Sequence, residues 1–276
     1  MRTDHDTKRA SWELPDAVWQ QMEPLIPPKK GKTGHPRTVD LRRITEGIFS
    51  VLRTGVHWQA CPRERVGPPS TVYYYFRQWV TAGVFGQWWA VALTVYDDLK
   101  GLEWTWQSVD GAMTKAPFGG AATGPNPTDR GKQGTKRSVL TEGHGIPMAV
   151  VVAGANRHDM KLLAATLDAI VVERPAPTEE APQHVCVDKG DDDDECRQVA
   201  EQQGYIPHIR SRGEEQQEKR DIPGYRPRRW VVEVCHAWLN RFRKLLVRFE
   251  KKLETHLALL QFACAYIVLK RADVFR

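Results

Sequence analysis

Apolar positions in the first hundred residues recur at helical spacing. In "PDAVWQQMEPLI" (15–26), Val18, Met22, Leu25 and Ile26 share one face behind a helix-starting proline, which predicts a short amphipathic helix. "VDLRRITEGIFSVLRT" (39–54) repeats the pattern with Leu41, Ile44, Ile48 and Leu52, and Gly55 predicts its stop. "STVYYYFRQWVTAGVF" directs Val72, Phe76, Trp79 and Val80 inward, with Ser70 as the expected cap and Tyr73, Tyr74 and Arg77 on other faces. Between the first two helices, "PPKKGKTGHPR" (27–37) brings Lys29, Lys30, Lys32 and Arg37 with no acid, which reads either as a solvated linker or as a phosphate-contacting arm. Helices joined by Gly- and Pro-bearing turns suit a helix-turn-helix-like module or an ordinary helical domain.

Near residue 104 the period changes. "WTWQSVDGAMTK" alternates into a strand expected to end at Asp110, and "KRSVLTEGHGIPMAVVVAGA" predicts a hairpin turning at "EGHGIP". A helix over 156–172 follows, then the strand "HVCVD" ending at Asp188, the helix "DDECRQVAEQQG", the strand "YIPHIR", a charged loop "GEEQQEKRDIPGYRP", and a helix from Arg229 to Phe249. This order predicts an α/β mixed sheet flanked by helices, and with the first half it predicts two domains, 1–100 and 101–276. The Gly-rich "GGAATGPNPTDRGKQGTKR", with Arg130, Lys132, Lys136 and Arg137, reads as a flexible loop or a DNA-tracking one.

The charge then narrows the partner. With 40 Lys and Arg against 34 Asp and Glu, the net charge of +6 and a pI near 9.1 favour a polyanion over a neutral small molecule. The 10 Trp, spread through both halves, favour a packed globular chain over a disordered basic tail. Five irregularly spaced Cys without a CxxC pair indicate neither a disulfide framework nor a zinc knuckle, and fit a reducing cytoplasmic setting. The first residues lack a signal-peptide core, and no run of about 18 apolar residues predicts a membrane span.

Candidate chemistry lies in the last helix of the mixed-sheet half. Laid out at about 100° per residue, Arg229, Glu233, His236, Asn240, Arg243 and Lys244 share a cationic face. Val231, Val234, Trp238, Phe242, Leu245 and Phe249 fall opposite. A lone acid there reads as an i−4 salt bridge with Arg229, until Asp110 and Asp188 are set beside it. Carboxylates at strand ends and on a packed helix can converge, and three hard oxygen ligands suit Mg²⁺ or Mn²⁺ better than zinc. Two such ions can activate an attacking oxygen and stabilise a leaving one in phosphoryl displacement, with the cations holding a DNA backbone.

With these residues in view, the chain resembles bacterial DDE transposases of insertion sequences, specifically the insertion sequence five family. The resemblance runs from "LPDAVWQQMEPLIPP" through "GHPRTVDLRRITEGIFSVLRTGVHWQACP" and "TVYYYFRQW" to "VDGAMTKAP", "VDKGDDDD" and "RWVVEVCHAWLNRFRKL", in the family's order. It implies an RNase H-like catalytic domain with Asp110, Asp188 and Glu233 as the metal-binding acids, and DNA contact by the helical region, which contains Lys32, Arg37 and Arg77. It also implies end cleavage and strand transfer on double-stranded DNA at terminal inverted repeats, by a homodimer or higher oligomer. Arg229 matches the arginine four before the catalytic glutamate. The chain departs from the signature at Arg226, where Tyr is usual, at Asn240, where Lys is frequent and Arg243 or Lys244 could replace it, and at Asp191, Val234 and Cys235. These departures keep open an alternative, a decayed or domesticated transposase acting as a DNA-binding repressor.

Three features have simpler readings. "DDDD" (191–194) suits a solvated helix start, Asp159 in "NRHD" a helix cap, and Cys235 a thiol with no partnered base.

Overall fold

The computed structural model describes residues 10, 12–28, 39–188, 193–210 and 230–275, with the side chains of 188, 193 and 210 outside the description. The segments with Lys32, Arg37 and Arg229, and the loop 213–227, lie outside the described residues.

The helical half begins with α1 (Asp16–Met22), which tightens into a 3₁₀ turn, and α2 (Leu41–Thr54). Asp40 caps α2 by accepting from the Arg43 N–H, and Gly55 ends it at φ 71°, a left-handed position that glycine adopts without strain. α3 (Arg63–Val66) leads to α4 (Pro69–Thr81), which buries Val72, Phe76 and Trp79 as the spacing predicts. Ser70 is not its cap: Pro69 occupies the first helical position, where a missing N–H costs nothing. The sequence reading passes over α5 (Val84–Lys100), in which Phe85, Trp88, Trp89, Ala92 and Leu93 are buried.

A mixed sheet follows. β1 (Trp106–Lys115) pairs antiparallel with β3 (Gln133–Thr141) and parallel with β5 (His184–Asp188), and β5 pairs parallel with β6 (Ile206–Arg210). β4 (Pro147–Gly154) closes the hairpin on β3, whose start also pairs with the short β2 (Gly124–Pro125). The order β4-β3-β1-β5-β6 is the RNase H-like arrangement. β1 does not stop at Asp110: its parallel pairing ends at Val109–Val187, whereas its antiparallel pairing continues to Lys115. The helix expected over 156–172 shrinks to a 3₁₀ turn and α6 (Leu163–Asp168), and α7 (Asp193–Gln202) lies where predicted.

Strand alternation assigns the two faces of the sheet. Ser138 accepts a hydrogen bond from Thr166 of α6, so Ser138, Lys136 and Gly111 face that side. Asp110, Ala112, Arg137 and Val139 face the other, which is covered by α8 (Trp230–Leu239) and α9 (Leu253–Arg271). α8 ends at Leu239, so the helical wheel drawn to Phe249 fails beyond that point; a turn and a 3₁₀ segment (Arg243–Leu245) replace it. α9, also absent from the sequence reading, packs along α5, where Phe262 lies 5.5 Å from Phe85 and 5.2 Å from Trp88. Among the described residues α9 is the one helix long and apolar enough to cross a membrane, and 67% of its apolar window is buried here. The helices of the first half and the sheet therefore share one core, joined also by Trp89 Nε1 donating to the Pro147 carbonyl at 3.1 Å.

Candidate active site

Asp110 and Asp188 follow immediately after the last parallel pair, Val109–Val187, on neighbouring strands. Strands in a sheet lie about 4.8 Å apart, so the two backbone positions are adjacent. The Asp110 side chain is 30% exposed. Glu233 is exposed in the first turn of α8, and His236 stands one turn further along. His236 Nε2 lies 3.6 Å from Asp110 Oδ2, so this face of α8 rests over the Asp110 position in β1.

His236 is not on a cationic outer face, as its spacing implied, but buried with 7% exposure. Three neighbours place it. Arg137, itself buried, extends from β3 and donates from Nε to His236 Nδ1 at 3.3 Å and from Nη2 to Asn240 Oδ1 at 2.7 Å. A guanidinium can only donate, so Nδ1 must accept and the ring proton must sit on Nε2. Burial, then the Arg137 charge, push His236 down to about 3, with the Asp110 backbone acting the other way; the ring is neutral. Nε2 has no hydrogen-bond partner among the described residues, and it faces Asp110. It is a buried donor aimed at the carboxylate, and its tautomer excludes it as a metal ligand.

On the opposite face, Asp159 accepts from Lys136 Nζ at 2.9 Å and does not cap the turn that it begins. A Cβ on Gly111 would stand 1.8 Å from Asp159 Oδ1, so the glycine after Asp110 permits this close approach. Cys235 is fully buried and its thiol is pushed up to about 12 by burial, which keeps it protonated and unreactive.

The proposed phosphate contacts separate on the structure. Arg243 is exposed, whereas Lys244 is 5% exposed and its Nζ is 2.9 Å from Glu250 Oε1. Lys244 is therefore corrected to an internal ion pair: releasing it would strand a buried carboxylate. Asn240 is exposed but gives its amide oxygen to Arg137. Arg77 is half-buried, 4.0 Å from Glu254, on the wall of a cleft of about 730 Å³ shared with Tyr73, Phe118 and Phe249. Among the described residues no group of three His, Cys, Asp or Glu side chains forms a metal cluster, the Asp188 side chain being outside that set. Sequence reading put Arg137 where the Gly-rich stretch meets the hairpin and gave it no role in the site; its place in β3, on the parity of Asp110, is the signal that could have revealed it.

Comparison with known proteins decides the family. Residues 107–268 match the model described as "Transposase DDE domain", and residues 14–89 match "Putative transposase of IS4/5 family (DUF4096)". The chain belongs to the DDE transposases of bacterial insertion sequences. A "Putative transposase for insertion sequence element IS402" from Burkholderia cepacia is 37% identical over 161 residues, covering 56% of this chain and 74% of the relative. A second relative from the same organism, "Insertion element IS402 uncharacterized 16.2 kDa protein", is 29% identical over 118 residues, 41% of this chain and 80% of its own. Among solved structures, a pre-cleavage Mos1 transpososome aligns over 90% of this chain and 83% of that one, at 10% identity and a TM-score of 0.29. That score supports no argument about this transposase, whose fold is read from its own sheet order. Its function is DNA transposition of an insertion sequence.

Proposed function

We propose that this transposase cuts the ends of its element with a divalent metal and joins the resulting 3′-OH to target DNA, with Asp110, Asp188 and Glu233 as its metal-holding acids. The observation that carries the reading is the buried, unpartnered Nε2 of His236 facing Asp110, one turn along the helix that carries Glu233. A carboxylate set of this kind offers hard oxygen donors and fits Mg²⁺, with Mn²⁺ as substitute. When bound, the metal supplies Lewis-acid stabilisation of the oxygens exchanged at phosphorus.

The chain's own residues do the positioning. Arg137 fixes the His236 tautomer, and His236 directs its Nε2–H toward Asp110 Oδ2 at 3.6 Å, near enough to orient the carboxylate. Arg243 and Arg229 are phosphate contacts on the double-stranded DNA, and Arg77, with the arm containing Lys32 and Arg37, reaches the terminal inverted repeats. Two ends must be cut and joined together, so the working form is a homodimer or higher oligomer, acting in the cytoplasm on the nucleoid.

The test is cleavage of a labelled duplex containing the element's own ends, with Mg²⁺ and with EDTA. Cuts at the end boundary only with metal are expected. Binding without cutting in Mg²⁺, in Mn²⁺ and on supercoiled DNA would instead establish the repressor alternative.

A second expectation concerns His236. His236→Leu removes the donor, and weakens Mn²⁺ binding and cleavage about 10- to 100-fold, the usual cost of losing a group that orients a ligand. His236→Gln, which can return an N–H to the same place, recovers most of both. Mn²⁺ affinity measured by electron paramagnetic resonance separates this role from general damage: equal losses in both variants, or wild-type affinity in His236→Leu, would remove His236 from the site.

A further inference from the structure

We infer that this transposase holds one unpaired nucleobase of a DNA strand in the cleft between α4 and the segment before α9. The base stacks on exposed aromatic rings, and its neighbouring phosphates lie on Arg77, Lys251 and Lys252. The cleft is the one of about 730 Å³ whose walls include Trp58, Tyr73, Phe118 and Phe249. Clefts of about 300–1,000 Å³ enclose small ligands, so this one suits a nucleoside and not a duplex. The inference rests on the proposed cutting of DNA ends for the place where a base leaves its partner, and on the cleft itself for the rest.

The walls carry more aromatic surface than a phosphate track needs. Phe118 is 61% exposed, and Phe249 and Tyr73, on the same cleft, are exposed as well. The Phe118 and Phe249 rings meet at 5.6 Å and 59°. Tyr73 is backed by the edge of Trp58 at 5.2 Å, and Trp58 in turn stacks on Phe76 at 4.8 Å. Large rings left together at the surface mark a place where something binds. The platform is also fixed. Ala121 N–H donates to the Lys251 carbonyl at 3.0 Å, a Cβ on Gly120 would meet that same oxygen at 2.3 Å, and Gly119 N–H closes a turn on the Ala116 carbonyl at 2.9 Å. Phe118 and Phe249 therefore come from two segments locked side by side, and little ordering entropy is lost when a ligand arrives.

The cations beside the rings select the occupant. Lys251 and Lys252 are exposed and form no ion pair among the described residues. Arg77, one turn along α4 from Tyr73, lies a long 4.0 Å from Glu254. Among the lining residues the acid is Glu250, which is spent on Lys244 at 2.9 Å. Paired DNA offers phosphates to the lysines but only base edges to the rings, because the base faces are stacked on one another. An apolar peptide segment suits the rings and leaves the lysines unanswered. A base that has left the stack matches both, with a π-face for the rings and a phosphate on either side for the cations. Every base has such a face, so the cleft accepts any of the four.

β1 joins the cleft to the candidate acids. Asp110 lies within β1, and Lys115, its last residue, accepts from the Arg248 N–H beside Phe249. The five residues between them span about 17 Å of strand. One strand of DNA advances about 3.4 Å per nucleotide, which puts the unpaired base within about five nucleotides of the cut.

The experiment is fluorescence anisotropy of the full-length protein in EDTA, with labelled oligothymidine and with a fully paired random duplex. Phe118→Ala should weaken oligothymidine binding about 5- to 150-fold, the range for one stacked base, and leave duplex binding unchanged. Phe118→Tyr, which returns a ring, should recover it. Lys251→Gln/Lys252→Gln should lower the slope of log affinity against log salt on oligothymidine by about 1.4, the release from two single-strand phosphates. On end duplexes carrying one mismatched pair each, one or two positions should tighten wild-type binding, because the base is already loose, and should give Phe118→Ala no gain. Unchanged oligothymidine affinity in Phe118→Ala, or an equal loss on the duplex, overturns the inference. So does a variant whose one change is weaker self-association in sedimentation, which would make this face an interface between copies. Absence of metal-dependent cleavage by wild type, with these binding results intact, overturns the assignment of the acids and leaves the cleft standing; cleavage without any effect of Phe118 on single strands overturns the cleft alone.

Discussion

Glu233→Ala is expected to bind the element's end DNA with wild-type affinity and to cut it on the order of 10³-fold more slowly, the equivalent of about 4 kcal/mol of transition-state stabilisation. The side chain is exposed in the first turn of α8, and the buried face of that helix is made by Val231, Val232, Cys235, His236 and Leu239. Truncation therefore leaves no cavity. Alanine is also the best helix former, so the fold should not weaken. On the proposed reading the variant loses one oxygen donor of the metal-holding set, a loss felt where charge moves between oxygens and not where DNA is held. Single-turnover cleavage in saturating Mg²⁺, set beside anisotropy binding, measures the two separately. Cleavage within tenfold of wild type would remove Glu233 from the metal-holding set; a parallel loss of binding would make it a structural residue.

The second large effect is on stability. Arg248→Met is expected to destabilise the chain by about 3–5 kcal/mol, because Arg248 is 1% exposed and its guanidinium is a hub of donated bonds. Nε donates to the Glu250 carbonyl at 2.9 Å, Nη1 to Ala122 O at 3.2 Å and Thr135 Oγ1 at 3.0 Å, and Nη2 to Ala121 O at 2.6 Å. The side chain thereby anchors the segment after β1 to β3 and to the strand-like turn before α9. That segment is a built structure and not the flexible loop its glycines suggest. Gly120, at φ 119°, also approaches so closely that a Cβ there would meet the Lys251 carbonyl oxygen at 2.3 Å. Burial works against the Arg248 charge, and Glu250 supports it. Methionine fills much of the space, so the loss reads hydrogen bonds more than volume. Urea unfolding measures it: Arg248→Lys, which keeps charge and some bonds, should fall between wild type and Arg248→Met, and a cost below 1 kcal/mol for Met would refute the hub.

Some elements were legible because a local pattern forces them. α2 and α4 carry one apolar stripe each, β3 and β4 flank a turn-rich "EGHGIP", and Gly55 needs a left-handed backbone. α5 and α9 escaped notice for the opposite reason. Apolar residues go nearly all round α9, so it shows no stripe, and only burial on several sides explains it. α8 was drawn too long because Phe242 and Leu245 continue its apolar spacing. They are buried, but from a turn and a 3₁₀ segment in which the helical wheel has no meaning.

The sequence by itself determined the family, the mixed sheet behind a helical region, and the placement of Asp110 and Asp188 on strands, because residue pattern and motif order are properties of the chain read in line; that the two strands are neighbours was decided by the tertiary pairing. It could not determine which polar side chains are spent internally. Lys244 belongs to Glu250, and His236 is turned inward by Arg137, a residue 99 positions earlier in sequence. Those outcomes depend on what β3 places beneath α8, and a buried charge must take whichever partner the fold supplies, since leaving it alone costs several kcal/mol.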